Sequence, residues 1–205
     1  MPSNPINTRH SAVSAAIALS LWALPAANAD IIWTEQINGD FSGNRLAPTT
    51  LALAEGNNAI SARIEPISQA GELDLDYFSV TVPSGFRLTE VLLENYLSTD
   101  FVAFIAIDPH ATFTIAPEDA SIENLFGWLH FGAADVGQDI LTRMGQNGTG
   151  FATPLPSGTY TFWAQQIGDL TEYTPVFVVE AIPAPGSLGV LAAAGLLSLR
   201  RRRAY

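Results

Sequence analysis

Between Asp30 and Glu180 the chain alternates apolar and polar residues in short runs, broken by clusters of Gly, Pro, Asn and Ser. Asp30 to Glu35 (DIIWTE) predicts a first strand, and Asn38 to Asn44 (NGDFSGN) a turn-rich loop. Thr49–Ala54 and Asn58–Ile64 both alternate, and Glu55-Gly56-Asn57 between them reads as a hairpin turn. In Tyr77–Val82 the strand period places Phe78, Val80 and Val82 on one face, before a turn at Pro83-Ser84-Gly85. Leu88–Tyr96 and Val102–Ile107 follow as strands, with Phe113–Ile115 as a short edge. Leu125–Phe131 predicts a strand rich in large aromatics, and Val136–Met144 a short helix or loop. Thr159–Gln166 and Tyr173–Val179 close the series, with Tyr160, Phe162 and Ala164 on one face and Thr161, Trp163 and Gln165 on the other.

Eight to ten short strands with turns every 8–12 residues and at most one helix specify an all-β fold, an antiparallel β-sandwich. The ends break this pattern. Residues 1–29 read as a secretory signal: Arg9 and His10, an apolar run from Ser11 to Leu24, then the A-x-A cleavage site Ala27-Asn28-Ala29. A signal peptidase would then leave Asp30 as the first mature residue. Residues 30–180 form the domain, and 181–205 a tail in three parts. Pro183-Ala184-Pro185-Gly186 comes first, then fourteen uncharged residues from Gly186 to Leu199, then Arg200, Arg201, Arg202 and Arg203. As a helix the apolar run is about 21 Å long, short of a ~30 Å hydrocarbon core unless Ile182 and the snorkelling arginines extend it. The basic cluster holds that end on the cytoplasmic side. A plain membrane anchor is the competing reading of the same residues.

Charge sharpens this division. All twenty carboxylates lie between Asp30 and Glu180, facing four arginines and no lysine, a formal −16 within a chain of −11. Such a surface repels nucleic acid and anionic lipid and gathers cations, although it also serves simple solubility. The absence of cysteine removes disulfides, thiol nucleophiles and cysteine-ligated metal.

The chemistry is sparse. Asp74 and Asp76 alternate at a strand start, and Asp40 lies on another loop. Together they make a candidate calcium site, since hard cations take oxygen ligands, though the same residues also read as solvated turn carboxylates. No EF-hand loop is present. His130 reads as a packed or half-buried core residue and His110 as part of a turn; the two lack the spacing of a zinc site. No serine stands in a G-x-S-x-G frame, and Ser84 and Ser157 sit before turn glycines. Trp163 is a candidate carbohydrate platform, with packing under a loop or against the partner sheet as its alternative. No catalytic residue is assigned, and the chain reads as a non-enzyme, a secreted hydrolase being the remote alternative.

The order of motif, apolar helix and arginine cluster resembles the PEP-CTERM sorting signal of exported bacterial proteins, in a Pro-Ala-Pro-Gly variant that departs from Pro-Glu-Pro at Ala184. The resemblance implies an exosortase as partner, cleavage near the motif, a transient hold on the membrane through the C-terminal helix, and a destination at the cell surface or in the extracellular matrix, with exopolysaccharide as a further partner. Within the domain, Asp74 to Gly85 (DLDYFSVTVPSG) is similar to the opening of bacterial pre-peptidase C-terminal domains. Pro156 to Phe162 (PSGTYTF) is similar to their closing strand, and Tyr173–Val179 to the last one. That likeness spans roughly residues 58–180, Leu125–Met144 departs from it, and it implies a small jelly-roll-like module of a secreted protein. The expected role is a structural or interaction module, with calcium or carbohydrate binding as the alternative.

Overall fold

The computed structural model describes residues 29–69 and 71–183. The expected signal segment up to Asn28, with Ala27, lies outside the described residues, as do Ala184, Pro185, Gly186, the apolar run and Arg200 to Arg203. Among the described residues no helix is long and apolar enough to cross a membrane.

Among the described residues nine strands form two sheets, so the all-β sandwich is realised. They are β1 (Asp30–Thr34), β2 (Thr49–Ala52), β3 (Gly56–Ile64), β4 (Leu75–Val82), β5 (Phe86–Leu97), β6 (Ala103–Asp108), β7 (Gly127–Phe131), β8 (Gly158–Gln165) and β9 (Thr171–Ala181). A four-residue helix, α1 (Glu35–Asn38), follows β1, and a second, α2 (Ile140–Met144), precedes β8. One sheet has the order β1-β3-β9-β5, the other β2-β4-β8-β6-β7. Pairing is antiparallel except at two edges, where β1 runs parallel to β3 and β2 parallel to β4.

The core is built by the period of two. Phe78, Val80 and Val82 of β4 and Tyr160, Phe162 and Ala164 of β8 face inward, against Ile60, Ala62 and Ile64 of β3 and Tyr173, Phe177 and Val179 of β9. Phe78 stacks on Phe162 at 5.4 Å between centroids, and Phe177 meets Phe162 edge-on at 5.3 Å. In β5 the inward residues are Leu88, Val91 and Leu93. A bulge between Leu88 and Glu90 breaks the strict alternation there.

Three expectations are corrected. Thr49–Ala54 and Asn58–Ile64 do not form a hairpin: β2 pairs with β4 in one sheet and β3 with β1 and β9 in the other. The turn signal was real, but it turns the chain from one sheet to the other. Gly56 sits at φ +99°, which glycine alone adopts freely, and the buried Asn58 side chain binds both backbone groups of Ala54 and the carbonyls of Gly56 and Phe177. Phe113–Ile115 is not an edge strand. It belongs to a covering segment, residues 109–126, that lays Phe113 and Leu125 over Tyr77, Ala106 and Trp163 on the outer face of the five-stranded sheet. His130 is exposed on β7, edge-on to Phe104 and Trp128, rather than packed in the core.

The chain enters and leaves the sandwich at one end. Asp30 pairs with Asn58, whose other neighbour is Phe177, and β9 runs out from there to Ala181. The Ile182 amide then donates to Gly85 O at 2.8 Å. The opposite end carries the segments 65–74, 98–102 and 166–170, together with α1 and residues 39–48.

Candidate functional site: an acidic cluster beside a buried aspartate

At that opposite end three carboxylates converge. β4 begins at Leu75, and its alternation puts Tyr77 outward on Trp163 at 5.9 Å and Asp76 inward, in line with Phe78. Asp76 faces Ala164 across the ladder, a side chain too small to fill or to solvate the space. It is fully buried, and neither carboxylate oxygen has a hydrogen-bond partner among the described residues. A carboxylate in that position is strongly disfavoured unless something compensates it.

The other two acids come from the N-terminal arm. After β1 the chain makes the single turn α1, whose first residue, Glu35, is 7% exposed. Glu35 Oε1 accepts from the Phe41 amide at 2.9 Å, and Oε2 accepts from the Arg63 amide at 2.5 Å, so its head is fixed against both the arm and β3. Gly39, at φ +95°, reverses the chain and delivers Asp40, which is exposed. Glu35, Asp40 and Asp76 each bring an oxygen within 4.8 Å of the others'. A shallow cleft of about 250 Å³ lined by Glu35, Gln36, Asp40, Arg63 and Glu65 opens beside them.

The electrostatics follow from burial and like charge. Burial pushes the Asp76 carboxyl up to about 10, and the charges of Glu35, Asp74 and Asp40 push the same way. Burial pushes Glu35 up to about 7, against the pull of the Arg63 and Phe41 amides. The Tyr173 hydroxyl of β9 is also buried and without a hydrogen-bond partner among the described residues. Burial raises it well above the usual tyrosine range, and the Asp76, Glu35 and Asp74 charges add to the rise. The Arg63 guanidinium lines the cleft but is bonded to Glu65, while Arg87 pairs with Glu180, Arg143 with Asp135, and Arg45 holds the carbonyls of Phe113 and Thr114.

Of the sequence-predicted ligands, Asp76 and Asp40 do come together. Asp74 is not in the trio, because its Oδ2 accepts from the Glu65 amide at 2.6 Å and caps that loop. Its carboxyl is nonetheless raised, chiefly by burial. Glu35 was not among the sequence-predicted ligands. Trp163 presents no platform: it is 3% exposed, with Phe113 and Phe104 edge-on at 5.5 and 5.1 Å. His110 lies in the turn after β6, its Nδ1 2.6 Å from Asp108 Oδ1.

Three carboxylates, with no nitrogen or sulfur donor among them, suit a hard cation. Two oxygens on one calcium ion, each at about 2.4 Å, stand at most ~4.8 Å apart, so the spacing is one that a single ion bridges. The chain matches no family model, and neither a curated protein nor a solved structure proves similar to it.

Proposed function

We propose that the protein is an exported, non-catalytic module of the bacterial cell surface or extracellular matrix, and that its sandwich holds a hard divalent cation, calcium by class, between Glu35, Asp40 and Asp76. The observation that carries the cation reading is Asp76, fully buried with both oxygens unpartnered and two further carboxylates within reach. A cation there supplies the counter-charge that no side chain among the described residues provides to Asp76. The tail with its arginine cluster supports the export half of the reading, with exosortase as the partner that releases the chain from its hold on the membrane. The way β3, β4, β5 and β6 alternate between the two sheets supports the jelly-roll-like arrangement implied by the domain's resemblance.

Thermal unfolding and titration calorimetry of the purified protein test the cation reading. Calcium raises the melting temperature relative to chelator, as any ligand of the folded state must. Asp76→Asn weakens binding by at least about tenfold, roughly 1.4 kcal/mol. Equal melting temperatures in calcium and in chelator, with no heat of binding, would sink this reading.

A further inference from the structure

The carboxylate cluster joins two parts of the chain that are otherwise tied by Phe41 on Phe78 and by the Ser42–Tyr77 bridge. Glu35 and Asp40 belong to the arm of residues 30–41, whereas Asp76 belongs to β4 in the opposite sheet. The arm is weakly secured by packing. β1 is an edge strand, paired in parallel with β3 alone, and its register slips between Ile31 and Trp33. Ile31 is 68% exposed, and Trp33 is only partly buried, its indole N–H without a partner among the described residues. The arm's one buried apolar residue is Phe41, stacked between Trp33 at 5.6 Å and Phe78 at 4.7 Å. Among the described residues the Asp76 oxygens bond nothing on the arm, and Glu35 accepts from two backbone amides, those of Phe41 and Arg63.

We infer that the cation is the clasp of the N-terminal arm: bound to Glu35, Asp40 and Asp76, it holds β1 against the β3 edge, and its removal releases residues 30–41. The inference rests on the cation reading above and adds to it a structural consequence in one named segment. A divalent ion ligated by all three carboxyl groups ties the arm to β4. Without it, that link between the arm and β4 is gone. The ladder between β1 and β3 then stands alone at a sheet edge, where opening is easiest. The core beneath is built mainly on β3, β4, β5, β8 and β9, to which the arm adds Phe41.

Hydrogen–deuterium exchange of the full chain, read by mass spectrometry in calcium and in chelator, tests this. Amides of residues 31–41 are expected to exchange at least about tenfold faster in chelator, while those of β4 and β8 stay unchanged. In Asp76→Asn, or Glu35→Gln should the first variant fold poorly, the arm exchanges fast in both conditions. Calorimetry on the same samples separates the two claims. Calcium binding with unchanged arm exchange would overturn the clasp and leave the cation site standing, whereas absence of binding would remove both.

Discussion

At the scale of single residues, Asp76 is the side chain whose placement has most consequence. Its carboxyl and that of Glu35 lie above their unfolded values of about 4, so the cation-free folded state binds protons that the unfolded state releases. That contribution is complete below about pH 4 and is lost as pH rises through 7 for Glu35 and on toward 10 for Asp76. The groups around them work in the same sense: Asp40 from the loop and Asp74 from the start of β4 add negative charge, and Arg63 of β3 is engaged by Glu65. The cation-free protein should therefore melt at least about 4 °C lower at pH 8 than at pH 5, and Asp76→Asn should flatten the difference. Saturating calcium should shrink it too, because the cation binds the ionised carboxylates. Thermal scans at the two pH values decide, and equal melting temperatures for the cation-free protein would count against the buried charge.

The sequence held part of this site in plain view. Alternation counted back from Phe78 already puts Asp76 on the inward face, and a carboxylate there demands a partner. What alternation could not supply was that partner, since Glu35 sits on a single helical turn without a periodic signature and reaches β4 only through the fold. For Trp163 the face assignment was right, and of its two readings the structure has the packing under a loop, not the platform. An outward face on a sandwich looks solvent-exposed until residues 109–126 cover it, and that segment has no period to read.

At the scale of elements, the strands were legible because both sheets bury one face of nearly every strand, which is the condition for a clean period of two. Pairing was less legible. Glu55-Gly56-Asn57 has hairpin chemistry, yet Asn58 uses its amide to carry the chain across the sandwich, with four hydrogen bonds at 2.9 to 3.2 Å. Asn58→Ala leaves the buried Phe177 carbonyl and the part-buried backbone groups of Ala54 and Gly56 short of a partner, and a loss of about 1–3 kcal/mol is expected from urea unfolding. A change under about 0.5 kcal/mol would mean that the crossing is held by Gly56 and the flanking strands alone.

At the scale of the molecule, the segments far from the chain ends are unusually apolar. Ile67, Leu73, Leu97, Phe101, Val102, Ile167 and Leu170 are all exposed there, Phe101 at 93%. The chain has no cysteine, so a single Phe101→Cys reports on that end without background. On intact host cells a membrane-impermeant maleimide should label it, and intact-mass analysis of the surface form should find Arg200 to Arg203 gone. Labelling only after lysis would refute export, and a labelled form that retains the arginines would leave a permanent anchor in place of sorting.

The shared exit of β1 and β9 gives this arrangement a dimension. An attachment through the residues before Asp30 or after Ala181 would hold the sandwich at that end, and the twelve residues of β5 run toward the other. At about 3.3 Å per residue that is a rigid standoff of roughly 40 Å. Whatever the protein is fixed to, Phe101 and the carboxylates of Glu35 and Asp40 are carried at the far side of that post.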